Sequence, residues 1–193
     1  MIAKFAKKIN EILIQKEIVQ KEDAELYQYG IENGIVGAGN LLASGIFGIV
    51  TGRPGLVLVF LLFYASLRSY SGGSHCKSRI GCFLISMAIL SIPVYTHEFV
   101  MNNVPATVIL MIGIAAVVVI LILSPVESIN KPLDDEEKKY YARVTHCIVA
   151  LQVCVLIILF CLGVKDYFYA GYSSIVLVAV FMVMGKVIMK RYI

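Results

Sequence analysis

The apolar positions of this chain fall into six runs, over residues 31–51, 54–70, 80–98, 104–124, 144–163 and 170–189. Each is close to the ~20 residues that a helix needs to cross the ~30 Å hydrocarbon core of a bilayer. The first run is glycine-rich (Gly34, Gly37, Gly39, Gly45, Gly48), which lets neighbouring helices approach closely. The second is the shortest and ends on the polar residues Arg68, Ser69 and Tyr70. Between them Thr51-Gly-Arg-Pro-Gly55 is a turn sequence, so these two spans are predicted to form a tight hairpin. Ahead of the runs, Ile2, Phe5, Ile9, Ile12 and Leu13 share one helical face, with Lys4, Lys7, Lys8 and Glu11 largely opposite. Such a helix would lie on the inner leaflet with its lysines near anionic lipid; a cytosolic cap packed on the loops is the other reading. The predicted fold class is an all-α integral membrane protein: an N-terminal amphipathic interfacial helix within 1–29, then six transmembrane helices within 30–193.

Composition agrees with that solvent. Of 193 residues 59% are hydrophobic and only 16% charged, with a mean hydropathy of +0.84. A soluble domain carries about a quarter charged residues, and a core of this size cannot bury the apolar excess. The first 25 residues lack the continuous apolar segment and small-x-small site of a cleavable signal peptide. Charge then orients the spans. Fifteen of the 17 Lys and Arg residues lie in the N-terminal tail, the loop after the second span, the loop after the fourth, and the C-terminal tail; only Arg53 and Lys165 lie in the alternate loops. The positive-inside rule places both termini, the Ser71–Gly81 loop and the Ser124–Ala142 loop in the cytoplasm.

Five cysteines show no CxxC pair or metal spacing, and Cys147, Cys154 and Cys161 recur every seven residues on one helical stripe, as small apolar packers do. His97 falls in an outward loop beside Glu98, a bilayer thickness from the Ser71–Gly81 loop, and reads as an interfacial polar residue. His75 and His146 fall on the inner side. His75 sits in Arg68-Ser-Tyr-Ser-Gly-Gly-Ser-His-Cys-Lys-Ser-Arg-Ile-Gly-Cys82, where Gly72-Gly73 frees the backbone to turn just before the histidine. Cys82 falls in the first turn of the third span, where the helix N-terminus, Arg79 and Lys77 favour a thiolate. A histidine within hydrogen-bond reach can take the thiol proton and return it to a leaving amine. In one straight helix the seven-residue offset would part the two residues by ~10.5 Å, so a dyad needs a bend between them. Cys76 is the rival nucleophile, and a metal site from His75, Cys76, Cys82, His146 and Cys147 would match no usual zinc spacing. An incidental His and Cys at a helix end remains the plain structural reading.

At these residues the chain resembles the accessory gene regulator B (AgrB) family of bacterial membrane peptidases. The resemblance rests on Arg68, Gly73, His75 and Cys82 in the pattern Arg-x4-Gly-x-His-x6-Cys. Pro125, the run Asn130-Lys131-Pro132-Leu133 and the charged stretch after it reinforce the match. It covers nearly the whole chain. The resemblance implies a cysteine endopeptidase of the bacterial cell membrane that cleaves the C-terminal part from a small AgrD-type propeptide, on the way to a cyclic autoinducing peptide for quorum sensing. It makes His75 the general base and Cys82 the nucleophile, with Arg68 and Gly73 as supporting motif positions. Lys77, Arg79, Asn130 and Lys131 are candidate substrate contacts, and Arg68 would join Lys77 and Arg79 in attracting an acidic segment. No metal and no cofactor is implied. The expected partners are the propeptide and membrane lipid, with a homodimer allowed and no nucleic acid. The loop after the fourth span departs from a lysine cluster, since Asp134, Asp135, Glu136 and Glu137 follow Lys131. A peptide exporter without proteolysis is the alternative, against which no span carries an embedded acidic residue or a broken-helix pair. A scaffold in which His75 and Cys82 are incidental is the other.

Overall fold

The computed structural model describes residues 2–16, 18–72, 79–127 and 133–190, with backbone alone at 2, 4, 21, 79, 80 and 188–190. The chain divides into two compact units at Ile46. In the first, α1 (Ile2–Gln15) is followed by a 3-10 turn at Lys21–Asp23 and by α2 (Ala24–Val50), which runs on past the boundary. Ala6, Asn10 and Val19 are buried, and the Asn10 side chain donates to the Ala24 carbonyl at 2.7 Å. Phe5 and Ile12, on the apolar face of α1, are exposed. No long stop signal precedes Ile31, so α2 begins a full two turns before the apolar run. One consequence corrects the sequence reading: Glu32 lies inside this helix, buried, and accepts from Gln28 at 3.3 Å.

The second unit holds α3 (Pro54–Ser71), α4 (Arg79–Asn103), α5 (Ala106–Leu123), α6 (Asp135–Cys161) and α7 (Lys165–Lys190). Among the described residues, α2 to α7 are six helices long and apolar enough to cross a membrane, and no strand is present. The turn expected at Thr51–Gly55 is formed. Gly52 takes a φ of +70°, the Arg53 N–H returns to the Gly48 carbonyl at 2.9 Å, and Pro54 opens α3 where its missing N–H costs nothing.

The helix that organises this unit is α7, the last in sequence. In its apolar window 61% of residues are buried, against 17% to 28% in α3 to α6. Ala170, Ser174, Val178 and Met182, spaced by four, form a fully buried stripe. Small residues on that face allow close packing: Gly171 lies against Phe63 of α3 and Leu156 of α6, with no room for a Cβ. α3 is also held by polar bonds. Ser174 Oγ donates to the Phe60 carbonyl at 3.0 Å, and Gln152 Nε2 of α6 donates to the Phe63 carbonyl at 2.9 Å. Its apolar contacts reach two clusters, Leu56, Val57 and Phe60 with α4 and Ala170, and Leu67 with α5, α6 and the rest of α7.

Cys147, Cys154 and Cys161 share a stripe as expected, but it is the exposed face of α6. Val149, Gln152 and Leu156 take the inward face instead. His97 also differs from its expected role. It is 15 residues beyond Cys82 on α4, about 22 Å along the axis, and is 7% exposed. Its Nδ1 lies 2.9 Å from an Arg53 guanidinium nitrogen and its Nε2 2.9 Å from Asp166 Oδ1, while its ring meets Tyr169 edge-on. Arg53 also pairs with Glu98. A guanidinium can only donate, so Nδ1 accepts from Arg53. His97 thereby links the α2–α3 turn, α4 and the start of α7.

Candidate active site

The far end of α3 is where the chain leaves the bundle toward the sequence-predicted dyad. Ser71 ends the helix and Gly72 follows with φ +73° and ψ −157°, a region essentially reserved for glycine. Gly72 pairs in an isolated parallel bridge with Val126, just past the end of α5, and the Val126 N–H donates to the Ser71 carbonyl at 2.9 Å. The contact is so close that a Cβ on Gly72 would collide with the Val126 carbonyl oxygen and stand 3.0 Å from its carbon. The expected sharp turn before His75 is therefore taken by Gly72, for two reasons: its torsions and the backbone laid against it.

Arg68 lies one turn earlier. Its Nη1 donates to the Gly72 carbonyl, and its guanidinium carbon lies 6.0 Å from the centre of the Phe181 ring on α7. Tyr64, one turn before Arg68, is stacked on Phe60 at 5.4 Å. Cys82 is a free, half-buried thiol, the fourth residue of α4 counted from Arg79. Among the described residues, Tyr64 and Arg68 lie in the later turns of α3 and Cys82 in the opening turns of α4. Gly73, His75, Cys76, Lys77, Asn130 and Lys131 lie outside the described residues, as does the side chain of Arg79.

The segment after α5 supplies the other wall. It leaves at Ser124, passes the cis Ser124–Pro125 peptide and reaches Val126. Beyond it, the acidic run has a local task. Asp134 is the N-cap of α6: its carboxylate accepts from the Glu137 N–H at 2.7 Å, and the Glu137 side chain reaches back to the Asp134 N–H. Asp135, Glu136 and Glu137 occupy the first turn, where negative charge meets the positive end of the helix dipole. Lys138 pairs with Glu127 at 2.7 Å, tying that turn to the Val126 segment. His146 Nε2 lies 3.1 Å from the Leu121 carbonyl on α5. Among the described residues no three His, Cys, Asp or Glu side chains converge as metal ligands.

Sequence reading missed Tyr64, Val126 and Phe181, since nothing in an apolar run marks the member that will face a site. It also missed the cap at Asp134, although Asp-x-x-Glu ahead of a helix is a legible signal.

Comparison with known proteins agrees with this arrangement. The family model described as Accessory gene regulator B matches residues 4–184. An AgrB-like protein of Clostridium perfringens (strain SM101 / Type A) is 28% identical over 144 residues, covering 72% of this chain and 67% of the relative. AgrB-like protein 2 of Clostridium perfringens (strain 13 / Type A) is 30% identical over 146 residues, with the same coverage of each chain. No solved structure matches the chain. With six helices fit to cross a membrane and a family match over residues 4–184, the chain belongs to the accessory gene regulator B family of the agr quorum-sensing system.

Proposed function

We propose that the chain is a membrane-embedded cysteine endopeptidase that cleaves a small AgrD-type propeptide at the cytoplasmic face, with Cys82 as nucleophile and His75 as general base and acid. The observation that carries this reading is the placement of Cys82. A free, half-buried thiol stands in the opening turns of α4, which follows the segment that begins where Gly72 ends α3. The family match over residues 4–184 supplies the substrate class.

The chemistry is balanced within these groups. His75 takes the Cys82 proton, and the thiolate adds to the scissile carbonyl carbon of the propeptide. The C–N bond then breaks, His75 returns the proton to the departing amine, and the remaining segment is held on Cys82 as a thioester. A thiol of the propeptide that attacks this carbonyl exchanges one thioester for another, releases a thiolactone ring and regenerates Cys82. Hydrolysis would discard the activated bond, so the site must exclude water and hold the attacking thiol close. In this reading α1 lies on the inner leaflet through Phe5 and Ile12, with both termini cytoplasmic.

The test is cleavage of a cysteine-containing AgrD-type propeptide by the full chain in liposomes, followed by mass spectrometry. Wild type and Cys76→Ala should release the C-terminal fragment, and a wild-type acyl-enzyme should be trappable by hydroxylamine. Cys82→Ala should give no cleavage. Cleavage by Cys82→Ala would remove the assignment, and loss in Cys76→Ala alone would move it to Cys76.

A further inference from the structure

We propose that Arg68 is a positioning residue for the cleavage step, and that with the Gly72–Val126 bridge it clamps the start of the segment that carries His75. The inference rests on the peptidase reading above. It starts from the last turn of α3, whose terminal carbonyls have no intrahelical donors. Arg68 reaches forward from that turn to the carbonyl of Gly72, the residue at which the chain departs. On its far side the guanidinium is backed by the Phe181 ring, so its position is set by α7, the most buried helix of the unit. The other side of Gly72 is closed by Val126, whose N–H holds the Ser71 carbonyl. Gly72 is therefore gripped by a side chain of α3 resting on α7 and by the backbone that follows α5.

That grip bears on the chemistry because His75 is only three residues farther on, at most about 10 Å of extended chain. Cys82 belongs to α4, in its opening turns. Their relative placement thus depends on what holds Gly72, and misplacement of a catalytic group by about 1 Å can cost on the order of 100-fold in rate. The geometry also separates this role from substrate attraction, in which Arg68 would offer its charge to an acidic propeptide side chain. One guanidinium N–H is turned to a main-chain carbonyl, and its carbon lies over the Phe181 ring at 6.0 Å from the ring centre. An ammonium can donate to the same carbonyl but stacks less well, so lysine should support the function in part.

The experiment uses the full chain in liposomes with the same propeptide, comparing wild type, Arg68→Lys, Arg68→Met and Phe181→Leu. Cleavage kinetics are measured, together with hydrogen exchange at the Val126 and Ser174 amides. Arg68→Met should lower kcat by about 10- to 100-fold with KM changed less than about 3-fold, and Arg68→Lys should recover part of the loss. Exchange at Val126 should accelerate in Arg68→Met while that at Ser174, deep in α7, stays as in wild type, showing an intact fold. The proposal is overturned if the loss lies in KM and disappears with a propeptide whose acidic side chains are neutralised, since Arg68 would then be a substrate contact. It is also overturned if Val126 exchange and kcat are both unmoved. A wild-type chain that cleaves no propeptide removes the peptidase reading and the positioning role with it. Faster Val126 exchange in Arg68→Met would then show a structural clamp without that role.

Discussion

Gly171 gives the sharpest test of how the bundle is built. A Cβ placed there would stand 2.8 Å from Phe63 Cε1, 3.0 Å from Phe63 Cδ1 and 2.9 Å from Leu156 Cδ2. Carbon atoms in contact prefer about 3.5–4.0 Å, so Gly171→Ala overlaps α3 on one side and α6 on the other. Both neighbours are the outer atoms of side chains and can turn aside, which sets the cost at the ordinary overpacking range of about 1–3 kcal/mol. Against this, alanine improves the helix by roughly 0.5–1 kcal/mol over glycine. The net is about 0–2.5 kcal/mol of destabilisation, or up to roughly 10 °C in Tm for a chain of this size. Thermal melts of the detergent-solubilised protein, read as the fraction still eluting monodisperse after heating, measure it. The source of the cost is identified by repeating the substitution in a Phe63→Leu background, where the ring edge is gone. There Gly171→Ala should cost less by at least about 0.5 kcal/mol, the scale of coupling between residues in contact. If Gly171→Ala melts at or above wild type and the coupling is nil, α7 does not approach α3 as described.

Two further substitutions test links at either end of the second unit. Asp134→Ala removes the N-cap of α6 and should cost about 1 kcal/mol; exchange at the Glu137 amide should accelerate, Asp134→Ser should restore most of the loss, and an unchanged Glu137 amide would refute the cap. His97→Phe keeps a ring against Tyr169 but removes the acceptor for Arg53. It should cost about 1.5–3 kcal/mol, the range for hydrogen bonds to charged groups. Adding Arg53→Met should then cost little more, and full additivity in melts of the double variant would show that the two side chains do not act together.

The sequence by itself determined the solvent and the number of spans, and it named the residues on which the proposed chemistry rests. Those follow from one-dimensional quantities: length of apolar runs, counts of Lys and Arg between them, and the spacing of Arg68, Gly73, His75 and Cys82. The Thr51–Gly55 turn was equally legible, because Gly and Pro act through their own torsions. What tertiary structure alone decided is which residue of each apolar run faces a neighbour. Where lipid covers a helix, both faces are apolar, so sequence cannot tell Val149 from Cys147 or single out Phe181 and Val126. Only packing put α7 at the centre, turned the cysteine stripe of α6 outward and buried His97 between Arg53 and Asp166. The same holds for Arg68. Its motif position was visible in the chain, but its bond to Gly72 and its seat on Phe181, 113 residues later, exist only once α3 and α7 are side by side.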